Sequence, residues 1–198
     1  MALKDMLNRF APDFTLPIVG GGRFTLSDWR GNIVIVNFWS AECPWSRRAD
    51  VVLVYRQLTW ERKGVRMAGV ASNINEPETE IQFEAQNRKV KFPILRDPDH
   101  AVADLYNAET TPHFFVVDRQ GLIRYMGALD DSTYQRRRPK VIHVDQAVSA
   151  LLDNRLPDPA ITPAYGCSII REITLEASPG AAIEPLTPPP TNQPAPKK

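Results

Sequence analysis

Residues 32–39, Asn-Ile-Val-Ile-Val-Asn-Phe-Trp, form a nearly continuous run of apolar, mostly β-branched side chains. A strand with one face in water alternates apolar and polar residues; this one does not. It therefore reads as a strand buried on both faces, and such a strand requires covering layers on both sides of its sheet. The run gives way to Ser40-Ala41-Glu42-Cys43-Pro44-Trp45-Ser46. Pro44 suits the first turn of a helix. From Trp45 to Lys63 the apolar positions Val51, Val52, Val54, Tyr55 and Leu58 predict that helix, with Gly64 as its C-terminal cap. Cys43 thus stands where a doubly buried strand turns sharply into a helix.

The rest of the chain extends this pattern. Residues 11–31 predict two short strands around Gly20-Gly21-Gly22, a β-hairpin leading into the core strand. Residues 65–72 predict a second buried strand and 76–89 a second helix, with Pro77 and acidic residues in its first turn. A short strand at 92–97, a short helix at 100–108, a hairpin over 113–129 turning at Asp118-Arg119-Gln120-Gly121, and an amphipathic helix at 141–154 follow. The fold class is α/β, a central mixed sheet flanked by helices with an N-terminal β-hairpin. The expected organisation is a lead at 1–11, the main domain at 12–155, a proline-spaced arm carrying Cys167 at 156–178, and a Pro-rich tail at 179–198. The tail is too poor in large apolar residues to pack and is expected to be disordered.

Totals exclude several function classes. Twenty-four Lys and Arg against 23 Asp and Glu give a formal charge of +1, so neither nucleic acid nor a membrane surface is an expected partner. The basic run Arg136-Arg137-Arg138-Pro139-Lys140 reads as a solvated loop. No apolar run approaches a bilayer span, and the opening residues lack the apolar core of a signal peptide, so the expectation is a soluble, cytoplasmic protein. Two cysteines do not make a disulfide framework, but they suffice for one reactive pair.

At a strand-to-helix junction, free backbone N–H groups and the positive end of the helix dipole favour a thiolate, the nucleophilic form of cysteine; Arg47 and Arg48 lie one turn on. The plain alternative is a small buried cysteine that only packs.

The stretch Phe38-Trp39-Ser40-Ala41-Glu42-Cys43-Pro44-Trp45-Ser46 resembles the active-site strand-turn-helix of thioredoxin-fold proteins, and residues 11–39 resemble the entry region of the redoxins, the alkyl hydroperoxide reductase and thiol-specific antioxidant group. Residues 109–131, with Thr111-Pro112, are similar to the segment in which a cis-proline faces the active cysteine. Gly127-Ala128-Leu129-Asp130-Asp131 and the late Gly166-Cys167-Ser168-Ile169 are similar to the peroxiredoxin-like branch. The resemblance spans roughly residues 11–170. It implies a thioredoxin-like fold and a thiol-dependent oxidoreductase with antioxidant character, in which Cys43 is the nucleophile, Pro112 is cis, and Thr111 offers backbone groups to an extended substrate. Ser40 matches a hydroxyl position of the peroxiredoxin pattern, whose proline is replaced here by Val36. Trp45, Ser46 and His113 are the candidate substrate contacts, and Arg96 and Arg124 the candidate peroxide-polarising arginines.

Ser46 stands where thioredoxins carry the resolving cysteine, so a mixed disulfide at Cys43 is not released from the adjacent helical turn. Cys167 on the arm is the other thiol: it either resolves Cys43 or is a free structural cysteine. The expected substrates are a peroxide or a disulfide-bearing molecule, and the expected reductant is a small thiol or a thioredoxin-like partner, with no organic cofactor. Two rival readings are a redoxin-fold binding or structural protein without turnover, and a copper-handling redoxin using Cys43, Cys167 and His113.

Overall fold

We describe a computed structural model of the chain over residues 3–171. The tail expected at 179–198, with the last part of the arm, lies outside the described residues.

The strand β3 (Ile33–Trp39) is the centre of the molecule, and all seven of its residues are buried. Its neighbours make a five-stranded sheet in the order β5-β4-β3-β7-β8, with β4 at Val65–Ala71, β5 at Ile94–Arg96, β7 at His113–Val117 and β8 at Ile123–Gly127. β3 pairs parallel with β4 and β4 with β5, while β3–β7 and β7–β8 are antiparallel. The sheet is therefore mixed. The N-terminal hairpin β1 (Thr15–Pro17) and β2 (Arg23–Thr25) forms its own two-stranded sheet.

Alternation along β3 sorts its side chains into two cores. Ile33, Ile35 and Trp39 pack with Leu53 and Trp60 of α1 (Pro44–Glu61), Ile81 of α2 (Glu78–Asn87), and Val144 and Val148 of α4 (His143–Leu152). Val34, Val36 and Phe38 face the other way, onto Phe14, Leu16 and Phe24 around the hairpin and Val102 of α3 (Ala101–Leu105). This double burial accounts for the apolar run. The exception is Asn37, fully buried with neither side-chain polar atom hydrogen-bonded to another described residue.

The predicted elements form, with two differences of detail. Helix α1 stops at Glu61, and Gly64, at φ +73°, shapes the turn after it. Its buried face is Ser46, Ala49, Asp50, Leu53, Gln57 and Trp60, whereas Val51 and Tyr55 are 74% and 80% exposed. The apolar residues that made the helix legible are largely on its outer side. The sequence also gave no sign of two short strands, β6 (Thr110–Thr111) and β9 (Cys167–Ser168), which pair antiparallel and tie the arm to the domain.

After α4 the chain runs back along β8. Met126 donates its N–H to the carbonyl of Ala160 at 3.0 Å, and Thr162 donates to Met126 at 3.1 Å. Gly127, at φ +141°, has no room for a side chain because Thr162 lies against it. Further on, Gly166 lies against the Thr111 carbonyl, where a β-carbon would collide. Close approach at these two glycines brings the arm to the end of the sheet where Cys43 sits.

Candidate active site

Cys43 is the N-cap of α1, with Pro44 in the first turn, and is 3% exposed. Its own N–H donates to Ser40 Oγ at 2.9 Å, and Arg47 N–H donates to its carbonyl at 3.0 Å. The turn before the helix is held by a buried carboxylate absent from the sequence reading. Glu76, 0% exposed, accepts the N–H of Ala41 at 3.0 Å and of Glu42 at 3.3 Å, the Asn73 side-chain amide at 2.7 Å, and the Ser40 hydroxyl. Ser40 thus relays between the carboxylate and the backbone of Cys43. Arg88 closes the other side: its guanidinium donates to the carbonyls of Ser40 and Ala41 and to Asp50, and stacks 5.0 Å from the Trp39 ring centroid. Asp50 also accepts the Trp39 indole N–H at 3.0 Å; burial outweighs these donors and raises its carboxyl to about 6.

The Thr111–Pro112 peptide bond is cis, and the Thr111 carbonyl oxygen lies 2.9 Å from Cys43 Sγ. Opposite Thr111 in the β6–β9 pair is Cys167, whose Sγ is 2.8 Å from Cys43 Sγ. The two thiols touch but are not bonded, a covalent disulfide being about 2.05 Å. The arm is anchored beyond this point as well. Ile169 N–H donates to Glu109 at 2.9 Å, and Ile170 N–H to Asn73 Oδ1 at 2.9 Å. Asn73 therefore joins the arm to Glu76, and through it to the turn that carries Cys43.

The two sulfurs are electrostatically unequal. Burial opposes ionisation of Cys43, but hydrogen bonding from the Cys167 thiol, the neighbouring Thr111 and the backbone of Ser46 and Cys167 outweighs it and holds Cys43 below the usual thiol range. Burial, the hydrogen bond to Cys43, the Cys43 charge and the Glu76 charge together push Cys167 up to about 12. The pair loses its first proton from Cys43 and holds its second on Cys167. This distribution suits an attacking thiolate beside a waiting thiol.

Of the expected substrate contacts, only Trp45 reaches the surface. Its ring meets Tyr165 of the arm edge-on at 4.9 Å and Tyr134 at 5.3 Å. Ser46 is fully buried, because the third helical position points inward, and its hydroxyl accepts the Ser40 N–H at 3.3 Å. His113 is 1% exposed, stacked on Phe115 at 4.7 Å, and burial lowers its pKa to about 4, so its ring is neutral and enclosed. Arg124 pairs with Asp118 and Asn8 at the far end of the sheet, and Arg96 is directed to the carbonyls of Ala71 and Asn73. Neither arginine meets the thiols. Among the described residues no three His, Cys, Asp or Glu side chains group as a metal site, which leaves the copper reading without its ligand set. Glu76, Asn73 and Arg88 are the site residues the sequence reading missed. The available signal was polar character at the carboxyl end of the doubly buried β4, where parallel sheets place their sites.

A mixed sheet with a cysteine capping the first helix opposite a cis-proline defines a thioredoxin-like thiol protein. The AhpC/TSA family pattern matches residues 7–126, more than half of the chain. The protein belongs to the AhpC/TSA family. The matched span holds Ser40, Cys43, Thr111 and Pro112 and ends before Cys167. The chain is 31% identical over 114 residues to the thiol-disulfide oxidoreductase ResA of Geobacillus kaustophilus, covering 58% of this chain and 64% of that protein's length. Among solved structures it resembles an uncharacterized conserved protein from Geobacillus kaustophilus, with TM-score 0.78, 29% identity and coverage of 84% of this chain and 92% of that one. It also resembles a putative thiol:disulfide interchange protein DsbE from Chlorobium tepidum, with TM-score 0.57, 25% identity and coverage of 61% and 83%.

Proposed function

We propose that the protein is a two-cysteine thiol-disulfide oxidoreductase in which Cys43 attacks and Cys167 resolves. The observation that carries this reading is the contact of the two sulfurs at 2.8 Å with Cys43 the more acidic. In the first step the Cys43 thiolate attacks one sulfur of a substrate disulfide; a Cys43–substrate disulfide forms, and the other substrate sulfur leaves as thiolate and takes a proton from solvent. Once Cys43 is in a disulfide its negative charge is gone, and with it one of the influences that hold Cys167 protonated. Cys167 then loses its proton and attacks Cys43 Sγ, forming the Cys43–Cys167 disulfide and releasing the second substrate thiol. The substrate is reduced by two electrons and the protein oxidised by two. An external dithiol or two small thiols return it to the reduced state. The names of the ResA and DsbE relatives support thiol-disulfide chemistry of this kind.

Peroxide is a second substrate class, favoured by the depth of Cys43, which a small oxidant reaches more readily than a bulky disulfide. The thiolate attacks one peroxide oxygen, alcohol or water leaves, and the resulting sulfenic acid condenses with Cys167 to the same disulfide with loss of water. Single-turnover measurements with a peptide disulfide and with hydrogen peroxide, each read by intact mass, test the two routes. Formation of a Cys43–Cys167 bridge at comparable protein and substrate concentrations is the expected result for the disulfide. No bridge with either oxidant would overturn the function.

A further inference from the structure

The basic loop after β8 is unexplained by the thiol chemistry, yet it folds against it. Its backbone is tied to the arm, because Tyr134 donates its N–H to the Tyr165 hydroxyl at 2.8 Å, and Tyr165 lies two residues before Cys167. Tyr134, Tyr165 and Trp45 form a mutual edge-on trio with ring centroids 4.9–5.5 Å apart. Each ring comes from a different segment: the nucleophile's helix, the basic loop and the resolving arm. Beside the trio is an open groove of about 280 Å³ lined by Pro44, Trp45, Arg48, Tyr134 and Arg137. Pro44, the residue after Cys43, and Trp45 form one wall of the groove, so it opens on the helix turn that carries the nucleophile.

The cations around the groove divide into two sets. Arg48 is committed to Asp130 at 2.7 Å and Arg136 to Asp131 at 2.7 Å. Those two carboxylates are the only acids in the segment 128–140, and both are used. Arg137 and Arg138 are exposed, and among the described residues neither meets a carboxylate. A chain of formal charge +1 thus places the unspent Arg137 in the wall of an aromatic groove, with the exposed Arg138 next to it in sequence.

We propose that this groove is a docking surface for an acidic peptide segment flanking the disulfide of a protein substrate, with Trp45 and Tyr134 holding an apolar side chain and Arg137 and Arg138 pairing with its carboxylates. The proposal rests on the thiol-disulfide reading of the site and names its substrate class. Charge complementarity selects the occupant: a neutral segment leaves both guanidinium groups unused, and a basic one is repelled. Exposed pairs of this kind weaken as salt rises.

The test uses the full chain and two readouts. Calorimetry follows a cysteine-free peptide with an aromatic residue between Asp and Glu residues, against the same peptide with Ser and Asn in their place. At low ionic strength the acidic peptide should bind about tenfold more tightly, and the Arg137→Ala/Arg138→Ala variant should lose most of that preference, as should wild type at high salt. Equal binding of the two peptides, an unchanged preference in the variant, or tighter binding of a single-stranded oligonucleotide of equal charge would each overturn the proposal. Turnover of cysteine-containing versions of both peptides, carrying a mixed disulfide, forms the second arm. A larger fall of kcat/KM for the acidic than for the neutral peptide in the double-arginine variant agrees with docking, and equal falls for both contradict it. If neither peptide disulfide is turned over while the calorimetric preference holds, the thiol-disulfide reading fails and the docking surface stands.

Discussion

Thr111 and Cys167 are antiparallel strand partners, one residue before the cis-proline on one side and the second thiol on the other. The edge on which an extended substrate is expected to lie is therefore occupied by the protein's own arm. That placement explains how a chain with Ser46 one helical turn from Cys43 still brings two sulfurs together, and in the proposed two-cysteine mechanism it makes the seating of the arm the variable on which disulfide formation depends.

Gly166 controls that seating, because a β-carbon there collides with the Thr111 carbonyl. In Gly166→Ala the arm should lift from β6, leaving the five-stranded sheet intact. The rate of Cys43–Cys167 bridge formation under mild oxidation should fall about tenfold or more, since the reaction loses its preset geometry, and alkylation of Cys167 should speed up. Unchanged rates for both would show that the arm seats without this approach.

Cys43 is the first of the pair to ionise. Its alkylation should reach half-maximal rate at a pH below that of an ordinary cysteine, because lowering the pKa raises the thiolate fraction at a given pH. Cys167, pushed up to about 12 partly by the Cys43 charge, should become reactive at lower pH in Cys43→Ser. Peptide mapping after limiting alkylation across a pH series checks both, and labelling of Cys167 ahead of Cys43 in wild type would reverse the assigned order.

Glu76 accepts four donors, and its removal leaves them unmatched in the interior. Glu76→Ala should destabilise the protein by on the order of 3 kcal/mol, read by denaturant unfolding. Glu76→Gln keeps the shape and removes the charge. Since that charge helps hold Cys167 protonated, Cys167 in Glu76→Gln should ionise at lower pH than in wild type. A Cys167 profile identical to wild type would exclude an electrostatic effect of Glu76 on the pair.

How far the sequence made this site legible differs residue by residue. β3 was readable because a strand buried on both faces leaves a local signature, and Cys43 because it follows that strand into a helix. The buried face of α1 was not, since Asp50 and Gln57 point inward with polar partners or packing that only the fold supplies, while Val51 and Tyr55 point out. Glu76 and Asn73 were missed for a related reason: their position after the doubly buried β4 marks them only as polar, while their donors and acceptors lie on the turn at 40–42 and on the arm. The β6–β9 pair is two residues long and joins distant parts of the chain, below what periodicity can reveal. The cis geometry of Pro112 was available only through the family resemblance.

Ser46 tests the local alternative to the arm. Its side chain occupies the helical turn after Cys43. In a Ser46→Cys/Cys167→Ala variant, mild oxidation should therefore yield an intramolecular bridge between residues 43 and 46, restoring a route that bypasses the arm. Absence of that bridge, with the fold intact, would mean that the inward orientation of position 46 prevents it from serving as a resolving site.

The most direct measurement of the two-cysteine account is intact mass under non-reducing conditions after one equivalent of a peptide disulfide, in wild type and in Cys167→Ala, with peptide mapping of the products. Wild type should lose two hydrogens, retain no adduct, and give a Cys43–Cys167 linked peptide, while Cys167→Ala should keep the substrate half covalently bound at Cys43. A wild-type protein that keeps its adduct on Cys43 and forms no link to Cys167, or one whose adduct maps to Cys167, would contradict the account.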